Sequence, residues 1–193
     1  MIRMNIACLG WGSLIWDPQA LPIQKCWFKD GPLLPIEFAR HSRTDIITLV
    51  IVPGIREVRS LWTPMVVPDL DTARLKLAER EGIKIENIPK YIGYVSSTGS
   101  SNGQSAEVIG RWASYIGLDA VVWVNLPPRF QSVVRVPTVE EVLLFLQTRP
   151  PETRQYAEEY IRRTPRQIDT EYRRRIEVEL NWTPLPGSES FSS

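Results

Sequence analysis

Two hydrophobic patterns divide the chain. Through roughly its first two thirds, apolar residues come in short runs broken by Gly, Pro, Ser and Asp; toward the C-terminus they recur every third or fourth position. Short runs closed by turn residues predict β-strands, and a period near 3.6 predicts helices. Residues 6–9 form an apolar run closed by Gly10, the pattern of a buried strand entering a tight turn. Residues 34–39, 46–52 and 59–67 are further strands, separated by Ser-Arg-Thr-Asp and Pro53-Gly54 turns. Pro64 has no amide proton to give a sheet, so the end of the last one is an edge or a bulge. A helix starts at Asp69 or Asp71 and runs to Glu81, with Gly82 as its stop. Residues 91–96 predict a strand, 97–105 an exposed Ser/Gly loop, 106–116 a helix ending at Gly117, and 120–126 a buried strand ended by Pro127-Pro128.

From Pro137 the pattern is helical. Thr138-x-x-Glu141 reads as a capping box ahead of Val142, Leu143, Phe145 and Leu146. A second helix follows Pro150-Pro151 and places Tyr156 and Tyr160 four apart. A third is expected from Thr164-Pro165-x-Gln167, with Ile168, Tyr172, Ile176 and Leu180 repeating at i+4. Arg173, Arg174 and Arg175 have Glu171, Glu177 and Glu179 in ion-pairing positions, the pattern of a solvated helix face rather than a nucleic-acid site. The reading is an α+β fold with a core domain over residues 1–136, a helical extension over 137–182 packed on it, and a flexible tail over 183–193, frayed from Gly187.

Charge and composition narrow the chemistry. The 193 residues carry 23 Lys and Arg against 22 Asp and Glu, a net charge of +1, so no global field recruits nucleic acid or an anionic membrane. The most apolar stretch, residues 46–52, is far short of the ~18 residues of a spanning helix, and the N-terminus lacks the pattern of a signal peptide. With two cysteines and no C-x-x-C pair, a cytoplasmic, soluble protein is expected. The one histidine, His41, and the cysteines Cys8 and Cys26 are little material for a metal site or a Ser-His-Asp or Cys-His centre. Carboxylates and backbone amides come first instead.

Two segments can supply them. In Cys8-Leu9-Gly10-Trp11-Gly12-Ser13-Leu14-Ile15-Trp16 a strand runs into two glycines and a serine. Such a turn either meets a purely steric need for glycine or leaves peptide N–H groups free for an anion or oxyanion. Ile15 stands where a dinucleotide fingerprint needs its third glycine, and there is no phosphate-binding G-x-x-x-x-G-K-[ST]. On the helix ending at Gly82, about 100° per residue puts Leu70, Ala73, Leu77 and Glu81 in one arc, with Glu79 opposite. Glu81 therefore follows the apolar stripe inward, at the helix end where the dipole disfavours an anion, as suits a general base. The alternative is an ion pair with Arg74 or Arg80.

A strand followed by Gly-aromatic-Gly-Ser-Leu-Ile-Trp, then Arg80-Glu81-Gly82 at a helix end, resembles the γ-glutamylcyclotransferase-like superfamily, particularly its glutathione-acting branch. The resemblance covers about residues 5–125 and rests on these two motifs and the strand order. It implies a small mixed, barrel-like sheet with flanking helices, a loop at Trp11, Gly12, Ser13 and Leu14 whose amides hold a γ-glutamyl group, and Glu81 as the catalytic acid/base. It implies a lyase or transferase that cyclises a γ-glutamyl peptide or amine to 5-oxoproline and needs neither metal nor cofactor. The chain departs from the family in having Trp11 where the loop usually has tyrosine, and in its helices after Pro137.

That reaction suits the sparse side-chain inventory, because the substrate's own α-amine is the nucleophile. Two other readings stand beside it: a non-catalytic protein using the same loop for a carboxylate-bearing small molecule or a partner's terminus, and an interaction module acting through the helical extension. Cys8 is expected to pack as a small core residue, and His41 to bond between strands or bind an acidic group. Trp11, Trp16, Trp27 and Trp62 either line a pocket or pack, and the same alternatives stand for Arg111 and Trp112 on the helix before the last strand. No nucleic acid or membrane partner is expected, and a homo-oligomer is left open.

Overall fold

A computed structural model describes residues 4–186. The strands are β1 (Ile6–Gly10), β2 (Leu33–Leu34), β3 (Ile36–His41), β4 (Ile47–Ile51), β5 (Val58–Arg59), β6 (Leu61–Pro64), β7 (Ile92–Ser96), β8 (Ser101–Asn102) and β9 (Ala120–Val124). The helices are α1 (Leu70–Glu81), α2 (Ile88–Tyr91), α3 (Ala106–Ile116), α4 (Val139–Gln147), α5 (Pro151–Arg163) and α6 (Glu171–Leu180).

The architecture is α+β around a mixed five-stranded sheet of order β6-β1-β9-β7-β8. β1 runs parallel to β9 and antiparallel to β6, and β7 is antiparallel to both β8 and β9. The central strands are buried on both faces, which is why β1 and β9 read as continuous apolar runs rather than alternating ones. β6 is the sheet edge, and Pro64 ends it opposite Ala7, where its missing amide proton is tolerated. Trp123 is fully buried on β9 and faces Gly93 on β7, where any Cβ would collide with the indole. The hairpin β3–β4 and the pair β2–β5 form separate two-stranded sheets. The two-residue strands β2, β5 and β8 carry no periodicity a sequence could display, and Pro35 separates β2 from β3.

α1 is bounded as its sequence implies. Asp69 accepts from the Thr72 amide at 2.7 Å, and Gly82 adopts φ 63°, ψ 30°. The amides of Gly82 and Ile83 then bond back to the carbonyls of Glu79 (3.2 Å) and Ala78 (2.9 Å), closing the last turn in a Schellman motif. Ala73 and Leu77 are fully buried beneath it, and the helix packs on β7 and β9.

The C-terminal helices join the same core: Val142, Leu146, Ile161, Ile168 and Ile176 are fully buried in the cluster that includes β1 and β9. The capping box at Thr138 forms, and Arg135 adds a two-pronged ion pair to Glu141 at 2.6 and 2.7 Å. The third helix starts later than expected. Thr164 closes α5 by donating to the Tyr160 carbonyl at 3.0 Å, and Gln167 reaches across to the Arg59 carbonyl at 2.9 Å. Thr170 is the true cap, accepting from the Arg173 amide at 3.1 Å. The expectation of a solvated arginine face holds for Arg174 and Arg175, whose side chains reach solvent and pair with Asp169 and Glu179, and is corrected for Arg173. Arg173 is 1% exposed and donates to the carbonyls of Thr164, Pro165 and Ile168 and to Glu177, so it staples the turn before its own helix. Thr183 and Leu185 bond to Arg162 of α5, while the tail from Gly187 lies outside the described residues.

Candidate functional site

The Gly-Ser turn follows the C-terminal end of β1, an interior strand of the sheet. Gly10 is held tightly, since a Cβ there would come within 2.7 Å of the Trp27 ring. Gly12 lies against Tyr160, whose hydroxyl would collide with any Cβ at that position. The turn closes through Ile15 N–H to Gly12 O at 3.0 Å and Asp17 N–H to Ser13 O at 2.8 Å. Trp11 and Leu14 are each 5% exposed, and the Trp11 indole donates to the Leu49 carbonyl on β4 at 3.3 Å. Among the described residues, the amides of Gly12, Ser13 and Leu14 donate to no protein acceptor. Three adjacent free N–H groups are the arrangement an oxyanion or carboxylate can use.

The end of α1 brings a carboxylate to this turn. Arg80 links the two: its Nη1 donates to Glu81 Oε1 at 2.6 Å, and its Nη2 to Ser13 Oγ at 3.2 Å and the Asp17 carbonyl at 2.6 Å. Arg80 is nearly buried and the Glu81 side chain is 18% exposed, against 53% for Glu79. The helical phase thus turns Glu81 inward, and the ion pair with Arg80 forms as well. Because Arg80 engages only Oε1, Oε2 has no protein partner among the described residues. Trp11, Gly12, Ser13, Leu14 and Glu81 all line one cavity of about 980 Å³.

α5 supplies a wall that the sequence pattern did not reveal. Tyr156, Glu159, Tyr160 and Arg163 fall on one helical face and line this cavity. Burial pushes the Tyr160 phenol well above its ordinary range, the charge of Glu81 adds to this, and a hydrogen bond from the Leu49 backbone opposes it. The hydroxyl is therefore protonated at neutral pH and accepts from Leu49, and its oxygen lies against Gly12. The i+4 spacing of Tyr156 and Tyr160 was visible in the sequence, but their destination depends on how α5 packs.

The remaining candidates separate clearly. Cys8 is fully buried in β1, and burial, reinforced by Glu81's charge, raises its thiol far above the reactive range. His41 ends β3, bonds to Asp45 at 2.7 Å and packs edge-on to Phe145; it stands outside the cavity. Trp16 lines the cavity in a T-shaped contact with Tyr160, whereas Trp27 packs on Gly10 and Trp62 stacks on Phe28. Arg111 pairs with Glu107, and Trp112 donates to the Asp30 carbonyl.

No helix among the described residues is long and apolar enough to cross a membrane, and no group of three or more His, Cys, Asp or Glu among them could hold a metal ion. Comparisons with protein-family models, with curated proteins and with solved structures returned no match to the chain.

Proposed function

We propose that the chain is a γ-glutamylcyclotransferase-type enzyme that cyclises the γ-glutamyl end of a small peptide or amine to 5-oxoproline. The observation that carries this reading is the shared cavity, in which the unpartnered Glu81 Oε2 and the free amides of Gly12 to Leu14 meet across Arg80. The substrate's α-amine attacks its own γ-carbonyl carbon. A C–N bond forms to close the five-membered lactam, and the γ-amide C–N bond breaks. Holding the amine in line supplies proximity worth ~7 to 11 kcal/mol in favourable intramolecular cases. Glu81 Oε2 takes a proton from the α-ammonium and returns it to the departing amine, and the second proton, lost by the ring nitrogen as the lactam forms, is taken up by the released amine in water. The loop amides stabilise the oxyanion of the tetrahedral intermediate. Arg80 is a positioning residue, fixing the carboxylate through Oε1. Tyr160 brings a phenol to a loop that has Trp11 in place of the tyrosine expected from the resemblance.

Replacing Glu81 with Gln keeps the shape and removes the base, so kcat for 5-oxoproline release from a γ-glutamyl panel should fall by about 10² to 10⁴. Unchanged release overturns the assignment. The Arg80–Glu81 pair at 2.6 Å also suits a second reading, a carboxylate-binding protein without turnover. That reading predicts saturable binding of γ-glutamyl compounds and no 5-oxoproline.

A further inference from the structure

Tyr160 carries a donor that the protein itself does not use. The residue is 7% exposed yet lines the cavity, on a helix anchored by the buried Ala157 and Ile161. Its ring is fixed between two neighbours, meeting Trp16 edge-on at 5.4 Å and Phe38 edge-on at 6.4 Å. The hydroxyl oxygen takes a hydrogen bond from the Leu49 backbone, and among the described residues no protein acceptor receives its proton. A buried donor without an acceptor costs stability unless a ligand completes it.

Gly12 makes room for this hydroxyl. Gly12 is not among the glycines with positive φ, so its backbone conformation does not require glycine. What requires it is space, since a Cβ would come within 2.4 Å of the Tyr160 oxygen. The hydroxyl therefore sits over the α-carbon that joins the Gly12 and Ser13 amides, and those amides are themselves without protein acceptors among the described residues. A phenol and backbone N–H groups meet at one place on rigid elements, which is how neutral donors are preorganised for an oxygen that gains negative charge. Burial, with the charge of Glu81, pushes the phenol above its ordinary range, so the donor keeps its proton through neutral pH.

The position of Glu81 selects which substrate oxygen this is. The α-amine has to reach Glu81 Oε2 to lose its proton, and the γ-carbonyl carbon that it attacks lies one forming bond away. Glu81 is tied to Ser13 through Arg80, so the donors around Gly12 share the carboxylate's end of the cavity. They face the carbonyl oxygen rather than the far end of the departing amine.

We infer that Tyr160 is a catalytic residue of the cyclisation: its hydroxyl, delivered by α5 and given room by Gly12, donates a hydrogen bond to the γ-carbonyl oxygen as that oxygen becomes the tetrahedral oxyanion. The inference rests on the cyclotransferase reading. No bond to the Tyr160 proton breaks, and Glu81 remains the group that moves protons. The test measures 5-oxoproline release by the full chain from γ-glutamylalanine, glutathione and γ-glutamylethylamide, following whichever is turned over fastest. It compares the wild type, Tyr160→Phe and a protein with 2,3-difluorotyrosine at position 160, a phenol of nearly the same size and greater acidity. Tyr160→Phe should lower kcat by about 10² to 10³ with KM unchanged within about twofold, the signature of a contact made in the transition state. The fluorinated protein should keep kcat near that of the wild type at neutral pH and lose activity at a lower alkaline pH, as its more acidic phenol gives up the proton. A packing role would leave that pH profile in place. If Tyr160→Phe does not fold, the fluorinated protein, which keeps ring and hydroxyl, decides alone. Unchanged kcat in Tyr160→Phe, a change confined to KM, or a fluorinated profile superimposable on that of the wild type overturns the role of Tyr160 and leaves the cyclotransferase reading standing. No 5-oxoproline from the wild type with any of the three compounds overturns both.

Discussion

Gly12 and Tyr160 show how much of the site rests on single atoms. Ala at position 12 would drive its Cβ into the Tyr160 hydroxyl, and that hydroxyl also accepts from the Leu49 backbone. Gly12→Ala should therefore cost about 1 to 3 kcal/mol, the range of an overpacked core. Tyr160→Phe removes the obstacle but leaves the Leu49 amide without its partner, a loss of about 1 to 3 kcal/mol. The double variant should be more stable than the two losses summed, because the collision needs both groups. Urea denaturation of the four proteins measures this coupling, and additive losses would refute the contact. The glycine-serine turn and the inward phase of Glu81 were legible from the sequence, since glycine spacing and a 3.6-residue period are local properties. Tyr160's place beside Gly12 was not, because the two are brought together only by tertiary packing.

Elements were legible where their boundaries are written locally. The capping box at Thr138 and the Gly82 stop fall where the sequence put them, while α6 starts at Glu171 because Thr164 is used to finish α5. Two plausible caps six residues apart cannot be ranked without knowing that Gln167 bonds across to Arg59 and that Arg173 is drawn beneath the turn. At the start of α4, the hydrogen bonds from Arg135, with the Thr138 amide, lower the Glu141 carboxyl from 4.5 to about 2. A folded-state value below the unfolded one stabilises the fold above the unfolded pKa, and that contribution is lost as the pH falls. Stability should thus decline as pH drops from about 4.5 toward about 2, and Glu141→Gln should flatten that part of the profile. Glu37 acts in the opposite sense. Burial raises its carboxyl despite hydrogen bonds from Thr170, Phe38 and Tyr172, so its contribution is lost as pH rises through its folded value. Urea midpoints of wild type and Glu141→Gln across the acid range isolate the contribution of Glu141; parallel profiles would refute it.

For the whole molecule the sequence suggested a core with helices added to it, and the packing makes those helices part of the core. Val142, Leu146, Ile161, Ile168 and Ile176 are all fully buried. Each buried side chain of this kind contributes about 1.5 to 3 kcal/mol, so together they rival the ~5 to 15 kcal/mol by which a domain is stable. Their removal would also uncover the apolar surface of β3 beneath α6, take away the α5 wall of the cavity, and strip Glu37 of its bond to α6. An appended interaction module predicts that a chain ending at Val136 stays folded and loses only a partner. The shared core predicts instead that this chain does not reach the native state, with no cooperative thermal transition in circular dichroism and no saturable binding of γ-glutamyl compounds. A milder variant separates lost stability from a lost wall. Tyr156→Ala changes a half-exposed cavity residue on α5, where truncation removes little buried surface, so it should unfold within a few degrees of the wild type while shifting KM across a panel of γ-glutamyl compounds. A folded, ligand-binding chain ending at Val136 would show that the α5 wall takes no part in the site, and a Tyr156→Ala protein with unchanged KM throughout would show that Tyr156 does not.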